Sequence, residues 1–168
     1  MMKHPEQRIG VFVDVQNMYH SAKNIYNSRV NFKEVLQAAS AGRKLVTAVA
    51  YVITSPSKDE AYFFEALEKS GFKIKTKDLQ IFAGGAKKAD WDVGLAMDAI
   101  KMAGKLDVVI IVSGDGDYVP LVEYLQNIGV QVEAIAFGES SSHLLIEAVD
   151  DFTDLSKDKK RFLIKIKN

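Results

Sequence analysis

The chain has 168 residues, no cysteine, and 22 acidic against 22 basic side chains, for a formal net charge of zero. That length supports one domain with a core of its own, and the missing cysteines exclude a disulfide framework, a thiolate nucleophile and a cysteine-ligated zinc site. Zero net charge gives no global electrostatic argument for nucleic acid, and no apolar run approaches the ~20 residues of a membrane helix. The polar start Met1–Gln7 lacks the apolar core of a signal peptide, so a cytoplasmic protein is expected.

In chain order, Ile9–Val13 is a short continuous apolar run, the pattern of a strand buried on both faces. Asn17–Ile25 and Phe32–Ala39 read as helices separated by the polar turn Asn27-Ser28-Arg29. Leu45–Ile53 is β-rich and ends at Thr54-Ser55-Pro56-Ser57, a helix-start signal. A helix follows over Glu60–Lys69, closed by Gly71. Phe72, Ile74 and Thr76 alternate with lysines, as in a strand with one wet face. Leu79–Phe82 extends that strand or forms a hairpin with it, and Gly84-Gly85-Ala86-Lys87-Lys88 reads as a flexible loop before a helix at Asp90–Met102. Leu106–Val112 is the next strand, followed by a helix at about Tyr118–Gln126 and the last central strand at Val130–Phe137. Ser141–Val149 is a further helix. Strands alternating with helices imply a mainly parallel sheet covered on both faces.

The end of the chain departs from the neutral average. Lys157, Lys159, Lys160, Arg161, Lys165 and Lys167 stand against Asp158 alone. Residues 156–168 are therefore set apart from a main domain at 1–155, as a basic tail or an edge strand.

Four carboxylates fall where an α/β protein binds ligands. Asp14 ends the first strand, Asp115 and Asp117 follow Val108–Val112 in Ser113-Gly114-Asp115-Gly116-Asp117, and Asp92 opens a helix. Carboxyl ends of parallel strands line the crevice of an open sheet. Anions packed there repel one another unless a cation or shifted pKa values intervene, so a divalent metal and phosphoryl chemistry are the first expectation. Competing explanations exist for each acid. Asp14 is a good N-cap for the helix after it, and acids at 90 and 92 suit a helix dipole. A single cap does not need both Asp115 and Asp117 flanking Gly116. Asp98 lies six residues past Asp92, about 120° round the helix, and is a second-rank candidate. Asn17 orients Asp14 or faces substrate. His4, His20 and His143 lack zinc spacing, Ser113 and Ser142 lack a histidine partner, and Trp91 and Tyr118 read as packing residues. There is no G-x-G-x-x-G after the first strand and no Walker A lysine.

The segments Val13–Asn17, Lys88–Ala99 and Ser113–Tyr118 together resemble the NYN domain family, in particular its bacterial LabA-like branch, which is related to PIN-domain nucleases. The resemblance runs from about Ile9 to Leu155 and departs from the family pattern at Ala89-Asp90-Trp91. It implies a three-layer α/β/α sandwich and metal-dependent cleavage of RNA with Mg²⁺ or Mn²⁺. Carried onto this chain, the catalytic and metal-binding acids are Asp14, Asp92, Asp115 and Asp117, with Asn17 and Ser113 toward substrate. Lys87 and Lys88, joined by Lys58, are expected to hold flanking phosphates of a single-stranded RNA. A homodimer joining two clefts is compatible with the sequence. The alternative is a non-catalytic regulatory module that binds a protein or nucleotide through the same pocket. A phosphatase-like use of Asp14 as nucleophile ranks lower, because position 16 of the D-x-D signature is Gln.

Overall fold

The computed structural model describes residues 3–55, 60–81, 83 and 87–166. Six strands form one sheet: β1 (Arg8–Asp14), β3 (Lys44–Thr54), β4 (Lys73–Asp78), β7 (Val108–Val112), β8 (Gln131–Ala136) and β9 (Asp151–Asp154), in the order β4-β3-β1-β7-β8-β9. All five ladders are parallel. The helices are α1 (Val15–Tyr26), α2 (Phe32–Ser40), α3 (Ala61–Ser70), α4 (Asp92–Met102), α5 (Val119–Asn127), α6 (His143–Ala148) and α7 (Lys159–Phe162). The short strands β2 (Ser28–Val30) and β10 (Leu163–Lys165) pair antiparallel, as do β5 (Gln80–Ile81) and β6 (Lys87–Lys88).

Side-chain alternation divides the central strands between two cores. Ile9, Val11 and Val13 of β1 pack with Met18 and Ala22 of α1, Val35 and Ala39 of α2, and Leu67 of α3. Phe12 of the same strand faces the other way, with Leu95 and Ala99 of α4, Val122 and Leu125 of α5, and Leu145 of α6. The expected three-layer α/β/α arrangement with a parallel sheet is what forms. The chain leaves β1 toward one edge through β3 and β4, then returns to β7 on the opposite side of β1. The crevice between the carboxyl ends of β1 and β7 is thus a topological switch point, where such sheets bind ligands.

Several local expectations need correction. Ser28 and Arg29 belong to strand β2 rather than a turn, because Leu163–Lys165 supplies the pairing partner from far along the chain. Gln80–Ile81 pairs with Lys87–Lys88, so the hairpin forms across the glycine-rich stretch and not with β4. Residues 84–86 of that stretch lie outside the described residues. The sheet does not end at β8: Asp151–Asp154 adds a sixth strand beside it. Residues past 155 dock on the body, with Phe162 buried in the α1–α2 core.

A buried ion pair ties the sheet to the α2–β3 turn. The Arg43 guanidinium meets Glu133 of β8 through two 2.9 Å bonds, and also donates to the Ala39 and Ser40 carbonyls and to Gln7 Oε1. Both side chains are almost wholly enclosed, at 0% and 4% exposure. Removing one partner strands a charge in the interior. Arg43→Met should therefore lower stability by about 3–5 kcal/mol, while Arg43→Met with Glu133→Leu should recover most of it. Denaturant melts of the two variants test this, and equal stabilities for both would refute it.

Candidate metal centre

Three elements converge at the switch point. Asp14 follows the parity of Phe12 and so emerges on the α4–α5 side of the sheet, at the end of β1. Its Oδ1 accepts from the Asn17 backbone N–H at 3.2 Å, capping α1. Its Oδ2 accepts from the Tyr118 hydroxyl at 3.2 Å and from Ser113 Oγ at 3.4 Å. The cap and the site are thus served by different oxygens of one carboxylate. Asp92 stands in the first turn of α4, with Oδ1 3.2 Å from the same Tyr118 hydroxyl. Asp115 follows β7, its Oδ1 accepting from the Asp117 N–H at 2.9 Å and its own N–H donating to Ser113 Oγ at 3.1 Å. Asp14, Asp92 and Asp115 each offer an oxygen within 4.8 Å of the others.

The other expected site residues take different places. Asp117 is exposed, and its backbone, not its carboxylate, serves the cluster. Asp98 is committed elsewhere, accepting from Tyr51 at 2.8 Å and Lys75 at 2.6 Å; burial pulls its carboxyl up, but these two partners outweigh that and hold it below the ordinary range. Asn17 Oδ1 accepts from the Gly114 N–H at 3.1 Å, pinning the β7 loop to α1. Ser113 is fully buried and links Asp14 to Asp115. The side chains of Lys87 and Lys88, and the whole of Lys58, lie outside the described residues. Trp91 points under α4, with its indole donating to the Val52 carbonyl at 3.1 Å and its ring against Tyr51.

Tyr118, expected as a packing residue, is the unforeseen member. Its one phenolic proton lies between two carboxylates, so the cluster has fewer donors than acceptors. The loop's glycines answer to close packing rather than to a left-handed backbone. Neither Gly114 nor Gly116 takes a positive φ. A Cβ at Gly114 would lie 2.9 Å from the Ser141 backbone, and one at Gly116 would lie 2.7 Å from Ser142 Oγ. They are needed for space, where the loop passes the start of α6.

Burial and crowding shift Asp14 and Asp92 upward. Burial raises the Asp14 carboxyl; the Asn17 and Tyr118 bonds oppose this, and the Asp115 charge adds to it. Asp92 is pushed up to about 6, first by burial and then by the charges of Asp115 and Asp14. Burial, followed by the charges of Asp14 and Asp92, keeps the Tyr118 phenol protonated well above its usual range. An oxygen-only donor set with surplus negative charge fits a hard divalent cation.

The cluster opens into a cleft of about 360 Å³ whose floor is α1. Gln16, His20 and Asn24 line it at helical spacing, with Asn17, Ser21 and Ile25, while Asp90 and Ser140 stand at its sides. His20, read from the sequence only as lacking zinc spacing, lines this cleft. Its signal was the polar i, i+4, i+8 row on α1, whereas Ser140 had none, since it arrives from the loop after β8.

A model of the NYN domain matches residues 8–156, a span holding all three acid-bearing segments. The chain belongs to the NYN domain family. Among NYN relatives, the low amplitude and bright protein LabA of Synechococcus elongatus is 23% identical over 164 residues, covering 89% of this chain and 84% of that protein. A crystal structure of a protein of unknown function from Vibrio parahaemolyticus is similar with a TM-score of 0.86 and 33% identity, across 98% of this chain and all of that one. The LabA-like assignment within the NYN family stands on the family match and the LabA relative.

The raised acids have a thermodynamic signature. A carboxyl whose folded pKa lies above its ordinary 3.8 lends stability below that value and loses it as pH rises through about 6. Without metal, the cluster thus weakens the fold near neutrality. In EDTA at about pH 7.5, Asp92→Asn should be more stable than the parent by on the order of 1 kcal/mol, after discounting for solvent screening of a partly exposed group. The difference should vanish by about pH 4. Thermal melts across that range test it, and a parent that melts higher at neutral pH would contradict it.

Proposed function

We propose that this protein is a metal-dependent ribonuclease acting on single-stranded RNA. The observation that carries this reading is the convergence of Asp14, Asp92 and Asp115, from three separate elements, within 4.8 Å at the mouth of a cleft. Membership of the NYN family, which is related to PIN-type nucleases, supports it. A Mg²⁺ or Mn²⁺ ion held by these carboxylates would polarise a phosphodiester and lower the pKa of its bound water.

The chain's own groups hold that arrangement in place. Asp14 is fixed by bonds from Asn17, Ser113 and Tyr118, so its carboxylate does not reorient when charge changes nearby. Tyr118 ties Asp92 to Asp14 and keeps its proton. The Asn17–Gly114 bond sets the loop that presents Asp115. Such preorganisation limits the rearrangement needed as a phosphate is attacked. The open cleft admits an unpaired strand, and no helix among the described residues is long and apolar enough to cross a membrane.

The test is cleavage of a labelled single-stranded RNA with Mn²⁺, Mg²⁺ or EDTA. Cleavage is expected with either metal and none with EDTA. Asp115→Asn should lower the rate by roughly two orders of magnitude, about 2.7 kcal/mol of barrier. Asp117→Asn should cost less than about tenfold, since its carboxylate stands outside the converging set. Equal cleavage by Asp115→Asn would trace the activity to a contaminant, and no cleavage under any condition would turn the reading toward a binding module.

A further inference from the structure

The cleft poses a problem for a polyanionic substrate. Among the described residues, its lining holds Asp14, Asp90, Asp92 and Asp115 with amides, hydroxyls and His20, and no lysine or arginine. A strand seated there meets a metal-binding centre at one end and neutral hydrogen-bonding groups beyond it. Among the described residues, the positive charge that attracts phosphates stands outside this lining.

The far end of the cleft shows where. Asn24 and Ile25, the last lining positions of α1, mark that end. Tyr26, the next residue of α1, donates through its hydroxyl to Glu139 at 3.1 Å, beside Ser140. Lys159 Nζ lies 4.9 Å over the Tyr26 ring. Asp154 Oδ1 accepts from Gly138 N–H and from Ser156 N–H, both at 2.9 Å. One carboxylate therefore binds the turn that carries Ser140 (Gly138–Ser140) to the turn that carries Lys157 (Leu155–Asp158). Phe162 anchors α7 in the core, and β10 is stitched to β2. The basic segment is thus a fixed part of the surface beside the cleft's exit. Lys157, Lys159 and Lys160 are exposed there, and among the described residues Lys159 and Lys160 have no carboxylate at ion-pair distance. Arg161 differs, being paired with Glu34 at 3.8 Å. The segment begins where the family match ends, at residue 156.

We infer that the cleft and the docked basic segment form one track for single-stranded RNA, running from the acidic centre along Gln16, His20 and Asn24 to Lys157, Lys159 and Lys160. The inference rests on the ribonuclease reading for its substrate class. The α1 row covers ~12 Å from position 16 to 24 at ~1.5 Å per residue, room for a few nucleotides of an extended strand. There the polar side chains bond to sugars and base edges. The lysines then hold the flanking phosphates, and that contact carries the salt dependence.

Two substrates separate this idea from the activity it rests on. One is a fluorescein-labelled oligouridylate of about 12 nucleotides, scored for binding in Ca²⁺ and for cleavage in Mn²⁺. The other is bis(p-nitrophenyl) phosphate, which occupies the acidic centre alone. Substituting Lys157, Lys159 and Lys160 together by Gln should weaken oligouridylate binding about tenfold and flatten its log–log salt slope by about 2, at ~0.7 per phosphate lost. Turnover of the small diester should not change. His20→Ala with Asn24→Ala should raise KM for the oligonucleotide. Unchanged affinity and slope in the triple lysine variant, or no RNA binding by the parent, would overturn the track. If the parent cleaves neither substrate while the lysine variant still loses RNA affinity, the ribonuclease reading falls and the track stands.

Discussion

A carboxylate buried at the end of a parallel strand is the constraint around which this molecule is arranged. Asp14 is 7% exposed, and a buried anion without hydrogen-bond donors is strongly disfavoured. Its donors come from three stretches of chain: the first turn of α1, the buried Ser113 just past β7, and the short turn before α5. Each of these stretches carries or abuts another part of the cluster. Satisfying Asp14 therefore brings Asp115 in on the β7 loop and, through Tyr118, draws Asp92 to the same point. The site is a consequence of solvating one acid from within.

This explains which parts of the site were legible in the sequence. A continuous apolar run ending in Asp marks β1, and the run Val108–Val112 ending in a glycine-rich acidic loop marks β7; the strand-end rule then brings both acids to one crevice. Spacing could not choose between Asp115 and Asp117. Two acids flanking a glycine look equivalent in a linear string, but the short turn over Gly116–Tyr118 directs the Asp117 N–H onto Asp115 and leaves the Asp117 side chain in solvent. Tyr118 was equally hidden. A buried aromatic after a turn is ordinary core by pattern, and only its hydroxyl, aimed at two carboxylates, gives it another role.

The fold divides in the same way. Long strands and amphipathic helices declare themselves through their own periodicity. The β2–β10 pairing, the β9 edge and the Arg43–Glu133 pair depend on residues distant in sequence, with strands of three or four residues that have too few positions to show a period. The β2–β10 pairing and Asp154 of β9 also dock the basic segment. The composition shift over residues 156–168 left a basic tail and an edge strand both open, and the β10 ladder with Phe162 docks that segment on the body.

Two buried acids in this protein meet opposite provisions, and the contrast bears on what the site is for. Glu133 has its cation built in: Arg43 covers both its oxygens, and the guanidinium's remaining donors find carbonyls. That pair is closed and complete. Asp14 shares its surroundings with Asp92 and Asp115, and among the described residues no lysine or arginine pairs with any of the three. The fold could equally have enclosed a basic side chain there, as it does beside Glu133. It presents instead three carboxylates, one shared phenolic proton and an open cleft. Raised carboxyl pKa values are the residue of that arrangement, a standing cost in electrostatic energy that a protein relieves on binding a cation from solution. A cluster built only to stabilise the sheet would resemble the Arg43–Glu133 pair. One built to take up a metal keeps its charge uncompensated until the ion arrives.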